Sequence, residues 1–424
     1  MSAVFPPVPV SEWEARILAD LKGADYNKKL VWKTPDGLSV SPYYTMETAP
    51  QPVALSGIGP WQAAEPVVDI DAATFQDQGA TTVEELAFAL AAAVAHLPHP
   101  LTIQFATGPL FLLEIAKYRA MRALWATVCE ATGTDIPLHI HATTALWNKS
   151  ALDPHNNLLR ATTEALAAAI GGANTIAVRT DGIDPHLARN ILHILAEESH
   201  LNTVIDPAAG SWHIEALTTM LATEAWKRFQ QIEAVGGFPT FHLSGALDQA
   251  LEASRKAKEA AYATRRATLV GVNNYPNPDE PVHVPPPTTW RAAGVFERLR
   301  LRTARHVAAG NPCPSVLLLE LGDRKMSQAR AAFCRNFLAC AGFAIRESCT
   351  LVPADLVILC SSDPEYPEFA PRVLSEATMP VLIAGYPKDQ IAALEAAGIA
   401  GFIHLGSNLP ETLEHWQNRL GVHV

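Results

Sequence analysis

Two stretches of alternating strand-like and helix-like runs predict an α/β protein built on parallel sheets. The first covers residues 67–272 and the second 314–424. Between them lies a Pro- and Asn-rich segment, 273–289, with the run Pro285-Pro286-Pro287, which reads as an extended linker. One helix between successive strands implies parallel pairing with right-handed crossovers. The first region offers six or seven strands, short of the eight of a closed barrel. It is therefore expected to be a reduced or incomplete TIM-barrel-like domain, although an open doubly wound sheet fits the same count. Five strands in the second region suit a flavodoxin-like domain. The expected division is an N-terminal extension (1–60), the barrel-like domain (61–272), a linker with a short helix (273–313) and the last domain (314–424).

The elements follow from the pattern. Residues 11–21 have helical periodicity, and Ser11 with Glu14 makes a capping box at its start. Thr82-Val-Glu-Glu85 caps a helix whose apolar stripe is Val83, Leu86, Ala87, Leu90, Val94 and Leu97, stopped by Pro98. Residues 101–106 read as a strand. A long helix then runs from about Leu110 to Gly133, followed by a strand at 138–143. A helix over 157–170 ends at Gly171-Gly172, and a strand follows at 175–179. Pro185 opens a helix to about Ser199. Residues 203–205 form a short strand, 211–235 a helix, and 268–272 a last strand of this region. After the linker come a short helix at 292–299 and strands at 315–319, 343–346, 356–359, 381–384 and 402–404.

Composition narrows the function classes. Acidic residues (43) outnumber Lys plus Arg (32), for a formal net charge of −11, and no basic run stands out. That argues against nucleic acid as a partner. No apolar stretch reaches the ~18 residues of a membrane span. Residues 1–10 have neither the basic start nor the apolar core of a secretory signal, so a cytoplasmic protein is expected. Six cysteines without a Cys-x-x-Cys pair read as reduced, buried thiols, and no metal site is expected.

His141 is the best single candidate for chemistry. In Leu138-His139-Ile140-His141 the two histidines share one face, and His141 is expected toward the C-terminal end of its strand. There it could donate a hydrogen bond to a carbonyl or act as an acid or base, against the plainer reading of a histidine satisfied by local groups. Lys117, Arg119 and Arg122 lie near one another on the long helix and could meet a phosphate. A solvated or salt-bridged face is the plainer reading. Gly171-Gly172 and Gly236-Gly237 read as helix ends rather than phosphate loops. His242-Leu-Ser-Gly245 is a His-x-x-Gly that lacks an Asp at Thr240 and reads as coincidence.

Several segments in order resemble the methylmalonyl-CoA mutase family, and its small, non-catalytic subunit in particular. They are Leu30-Val-Trp-Lys-Thr-Pro-Asp-Gly37 with Pro42-Tyr-Tyr-Thr45, Asp69-Ile-Asp-Ala-Ala-Thr-Phe-Gln-Asp-Gln-Gly79, and Phe111-Leu-Leu-Glu-Ile-Ala-Lys-Tyr-Arg-Ala120 with Leu124-Trp125. Asp153-Pro-His-Asn-Asn157 with Leu159-Arg160, Ala188-Arg-Asn190 with Glu197-Glu-Ser199, and Asp206-Pro-Ala-Ala-Gly-Ser-Trp212 continue the series. In the last domain, Cys360-Ser-Ser-Asp-Pro-Glu-Tyr366 and Leu382-Ile-Ala-Gly-Tyr-Pro387 resemble the small-subunit version. The resemblance covers nearly the whole chain. It implies a role in the adenosylcobalamin-dependent isomerisation of methylmalonyl-CoA and succinyl-CoA, a step of propionate metabolism, in which the cofactor does the radical chemistry.

The departures from that pattern shape the expectation. The cobalt-ligating Asp-x-His-x-x-Gly is absent; Leu321-Gly-Asp323-Arg324-Lys325-Met-Ser327 stands in its place. Neither Arg324 nor Lys325 offers a lone pair while protonated. At the nucleotide-tail position a Ser-x-Leu reads Ser361-Ser362-Asp363, and a Gly-Gly is Ala384-Gly385. His141 falls in register with a substrate-contacting histidine, but its polar neighbours are replaced by Thr143 and Ala145, which leaves it vestigial. The stretch from Thr45 to Val67 is very short where catalytic chains carry barrel strands and substrate residues. The resemblance therefore implies a non-catalytic small subunit, itself inactive, whose last domain is a degenerate cobalamin-binding type. It would bind no cofactor. Adenosylcobalamin would sit in a large catalytic mutase subunit, its partner in a heterodimer, which it would stabilise. The rival readings are a catalytic mutase for methylmalonyl-CoA or a related branched acyl-CoA that holds cobalamin without histidine, and a free-standing regulatory protein on the same scaffold.

Overall fold

A computed structural model describes residues 8–422, apart from residues 54, 181, 279, 281 and 283–288. The run Pro285-Pro286-Pro287 lies outside the described residues. In chain order, the first part contains α1 (Val10–Asp20), α2 (Tyr26–Lys29), β1 (Trp32–Lys33), β2 (Ser39–Val40), β3 (Gln62–Ala63), β4 (Ile70–Asp71), α3 (Ala73–Asp77), α4 (Thr82–Val94), β5 (Leu101–Thr107), α5 (Phe111–Thr132), β6 (Leu138–Thr144), α6 (His155–Gly171) and β7 (Thr175–Ala177). Then come α7 (Pro185–His193) with a π-helical turn (Ile194–Glu198), α8 (Trp212–Ala234), α9 (Gly237–Leu243), α10 (Ala246–Ala263) and α11 (Gly294–Ala308). The last part holds β8 (Ser315–Glu320), α12 (Arg324–Ala339), β9 (Ala344–Ser348), β10 (Leu356–Cys360), α13 (Tyr366–Glu376), β11 (Val381–Ala384), α14 (Ile391–Ala397), β12 (Phe402–Ile403) and α15 (Leu409–Arg419).

The α/β class and the parallel pairing hold. The first sheet has the order β3-β7-β6-β5-β4, with every pair parallel. It has five strands among the described residues rather than six or seven, and its edges β3 and β4 do not pair with each other. Ile103, Phe105, Ile140, Ala142 and Ile176 on one face pack into a core with α4, α5 and α6. The other face carries Gln104, His139, His141 and Thr175, as alternation requires. The second sheet has the order β12-β11-β10-β8-β9, again all parallel. Its strands β8 and β10 are near-continuous buried apolar runs, as expected of strands covered on both faces.

Several boundaries differ from the sequence reading. Helix α1 starts at Val10 after Pro9 and has no side-chain cap, because the Glu14 carboxylate instead accepts the Tyr43 hydroxyl at 2.9 Å. The capping box of α4 is Thr81 with Glu84, one residue earlier than expected, which frees Glu85 for the interior. Residues 203–205 are not a strand: the place beside β7 is taken by β3, and Val204 and Ile205 are exposed. Residues 268–272 supply only an isolated bridge, Val270 to Asn274, since Gly271 turns the chain at φ +82°. The helices α9 and α10 were not foreseen, and α11 runs well past the short helix expected there.

The two sheets share packing. One apolar cluster joins Ala106, Ala145 and Trp147 to Phe296, Val316 and Phe337. Trp147 stacks on Trp290 with centroids 6.1 Å apart, the Lys258 ammonium lies 4.3 Å from its ring centre, and its carbonyl accepts the Ala292 N–H at 2.8 Å.

Candidate functional site

The carboxyl ends of parallel strands are where ligands of such sheets bind. In the first sheet, β6 continues to Thr144, which leaves His141 at mid-strand rather than near the C-terminal end. Its Nδ1 and the Nε2 of His139 both lie 3.0 Å from the Thr175 hydroxyl, so one hydroxyl satisfies two rings. His141 is 2% exposed, and burial pushes its pKa below the ordinary value, favouring the neutral ring.

A strap explains the burial. Ala63 stands level with Ile176, Ala142 and Phe105, and Ile70 stands level with Ile103 and Ile140. The six residues 64–69 thus join opposite edges of the sheet at the height of His141. Four inter-strand spacings are roughly 19 Å, and seven extended steps reach about 24 Å, which is too short to round either end of the sheet. The helices fill one face, so the strap crosses the histidine face; Glu65 within it acts electrostatically on His141. Above this level Asp77 closes the end. Its carboxylate accepts the N–H groups of Leu146 (2.8 Å) and Trp147 (3.3 Å) and pairs with Arg179, whose own N–H meets the Thr144 hydroxyl at 3.0 Å.

The three cations of α5 are neither solvated nor free for a phosphate. Lys117 is fully buried between Glu85 (2.8 Å) and Glu114 (2.5 Å). Arg119 pairs with Asp206 and with Glu215 at 2.6 Å. Arg122 donates to the Gly172 carbonyl (2.6 Å) and to Asn174 (2.8 Å). Gly133 and Gly172 are left-handed helix ends, as their spacing predicts.

In the second sheet the chain reverses its winding between β8 and β10, and that crevice is the expected ligand position. Here the chain's own side chains bond to one another around it. The Glu365 carboxylate accepts the hydroxyls of Ser361 and Ser362, each at 2.6 Å, the Ser362 N–H at 3.1 Å and the Asp323 N–H at 3.0 Å. Those donors, Ser361 first, hold its pKa down to about 2. Gly322 permits this approach: a Cβ there would lie 2.4 Å from the carboxylate. Asp323 caps α12 through the Met326 N–H at 2.7 Å, which leaves Arg324 and Lys325 exposed in the first helical turn. Asp363 pairs with Arg330 at 2.6 Å, Arg330 also donates to the Tyr366 hydroxyl, and that hydroxyl bonds the Ser361 and Ala384 carbonyls. A Cβ at Gly385 would meet Arg330 at 2.8 Å. The site thus gathers Asp323, Ser362 and Asp363, named from sequence, with Glu365, Arg330 and Tyr366, which were not singled out as site residues. Only the capping spacing Ser362 to Glu365 could have flagged Glu365.

The Glu365 geometry makes a prediction. Glu365→Gln should lower the thermal unfolding midpoint at neutral pH. A depressed carboxyl stabilises the fold above its ordinary value near 4.5 and loses that contribution as pH falls through about 2. The difference between variant and parent should therefore shrink across that window in melts followed by circular dichroism; a constant difference would contradict the assignment.

Two parallel sheets on one chain make this an α/β protein, a class consistent with an α/β mutase family. The methylmalonyl-CoA mutase family model matches residues 63–351, and the chain belongs to that family. It is similar to the methylmalonyl-CoA mutase small subunit of Porphyromonas gingivalis, with 34% identity over 84% of this chain and 66% of that one. Against the small subunit of Streptomyces virginiae the identity is 31%, over 83% of this chain and 64% of the relative. A methylmalonyl-CoA mutase of Cereibacter sphaeroides matches only 49% of the chain, at 34% identity. The chain spans 64–66% of the length of these small-subunit relatives. No helix among the described residues is long and apolar enough to cross a membrane.

Proposed function

We propose that this chain is the non-catalytic small subunit of a heterodimeric methylmalonyl-CoA mutase. Its first sheet is an incomplete TIM-barrel-like domain and its second a flavodoxin-like domain of degenerate cobalamin-binding type. It holds no cobalamin and does no chemistry; it docks on a large catalytic chain that carries adenosylcobalamin, and stabilises it. The observation that carries this reading is that Glu365, Arg330 and Asp363 stand at the β8/β10 crevice, bonded to the chain's own groups. A histidine-ligated cobalamin needs a neutral imidazole and an open cleft there, and these residues supply neither. The buried His141 under its strap supports the same reading, because an acyl-CoA carbonyl has no path to it. The six free thiols suit a reducing, cytoplasmic setting.

The test is to co-express this chain with a large mutase subunit. The two are expected to co-purify at equal stoichiometry, with this chain raising the large chain's melting temperature. Within that complex His141→Ala should leave methylmalonyl-CoA turnover within about twofold, whereas a working acid–base group is worth at least ~100-fold. Loss of turnover with binding intact would make this chain a catalyst.

A further inference from the structure

The strap of residues 64–69 crosses the histidine face of the first sheet, yet its middle is barely bonded there. Its ends are fixed. The Gln62 N–H donates to the Asn174 carbonyl at 3.0 Å. At the other end the Asp69 N–H donates to the Thr102 carbonyl at 3.0 Å, and its carboxylate accepts the Thr102 N–H at 2.7 Å. Between these anchors, residues 65–68 make no hydrogen bond among the described residues. Pro66 and Val68 are half-buried, and Val67 is 89% exposed. The two ends and this shallow burial hold the strap down.

Beneath it one hydroxyl serves two imidazoles. Thr175 Oγ1 lies 3.0 Å from His139 Nε2 and 3.0 Å from His141 Nδ1. A hydroxyl donates to one ring nitrogen and accepts the N–H of the other, which satisfies two neutral rings. When both rings are protonated both nitrogens donate, the hydroxyl proton has no acceptor, and two cations face one oxygen. The surrounding charges do not offset this. Arg122 of α5 acts on His139 and Arg179, just past β7, acts on His141, both against the charged ring. On the β5 side Gln104 stands level with His141 and donates to Asp71 of β4 at 2.8 Å, while Asp69 is taken by Thr102. Glu65 of the strap and the bond at Thr175 favour the charged His141. Burial is the largest influence on both rings, and it lowers both pKa values.

We infer that the strap is an acid-released cover: protonation of the paired His139 and His141 lifts residues 64–69 from the sheet and bares the histidine face. The direction follows from linkage. A released ring titrates at its ordinary value of 6.5, and a covered ring titrates below it. The cover is therefore fully stable above 6.5 and loses stability as pH falls from there toward the lowered values. Each unit of lowering raises the released fraction by up to about tenfold.

The experiment is limited proteolysis of the full chain with thermolysin at pH 7.5 and 5.5, with cuts before Val67, Val68 and Ile70 scored by mass spectrometry. Each rate is divided by that of a synthetic peptide of residues 61–72 at the same pH, which removes the protease's own pH dependence. The relative rate in the parent is expected to rise roughly tenfold between the two values. The double variant His139→Gln, His141→Gln, whose amides bond Thr175 without titrating, should show no rise. His193→Gln, at an exposed position of α7, should keep the full rise. A flat relative rate in the parent, or an equal rise in the double variant, overturns the inference. Where the double variant does not fold, His139→Gln and His141→Gln alone should each cut the rise to roughly threefold or less; a full rise in both overturns it equally.

Discussion

Lys117→Met is expected to lower the unfolding free energy by about 3–5 kcal/mol at pH 8, the cost of leaving buried carboxylates unpaired. Lys117, Glu85 and Glu114 are all inside, with Gln76 donating to Glu85 (3.1 Å) and Glu114 (3.2 Å) and with the Ala106 N–H on Glu85 (3.1 Å). The cluster ties β5, α3, α4 and α5 together beside the apolar core they share. Burial raises the Glu85 carboxyl to about 7 even beside the lysine. The sign follows: a raised carboxyl contributes stability fully present below its ordinary value near 4.5 and lost as pH rises through about 7. Removing Lys117 pushes that carboxyl higher still. The variant can protonate Glu85 at pH 5 but holds it at greater cost at pH 8, so the penalty should grow between these values. Urea titrations at pH 5, 7 and 8 check this; a penalty under about 1 kcal/mol at every pH would show that the cluster is not structural.

Trp147→Ala is expected to cost a further ~3–5 kcal/mol and to uncouple the two sheets. The indole is 6% exposed and meets groups from two places: Tyr262 and the Lys258 ammonium of α10, and Trp290 just before α11. Nearby, Glu297 of α11 accepts the Ala151 N–H at 2.9 Å and the Ser150 hydroxyl at 3.3 Å, so this loop is the seam between the parts. Calorimetry of the parent should show one cooperative transition and the variant two. A single, merely shifted transition in the variant would mean that the seam survives without the indole.

Much of the fold was legible because two signals agree. In α5 the apolar stripe and the closing Gly133 point to one helix, and in β8 and β10 unbroken Val, Ile and Leu runs point to covered strands. Where one signal stood alone, the reading slipped. Thr203-Val-Ile205 has strand-forming residues, but tertiary pairing decides strands, and Gln62-Ala63 occupies the neighbouring edge. Helix α10 is a polar, alanine-rich run that buries only Leu247, Leu251 and Tyr262, too few to mark a stripe. The short interval before Val67 was visible in sequence; that it becomes a strap over His141 depends on strand order, which no local pattern encodes. The same holds for the second crevice. The departure from the family pattern is readable at Arg324 and Lys325, whereas Glu365, which accepts the Asp323 N–H, arrives from some forty residues on.

Glu365, Asp363 and Arg330 stand at the carboxyl ends of β8 and β10, bonded to the chain's own groups. Glu365 gathers four donors, and Gly322 and Gly385 let Glu365 and Arg330 come close. The most direct measurement is a spectrophotometric titration of the purified chain with adenosylcobalamin, followed by desalting, beside the co-purified complex. The account predicts no retained cobalamin absorbance on this chain and one equivalent in the complex, carried by the large subunit. Stoichiometric cobalamin retained by the isolated chain would contradict it.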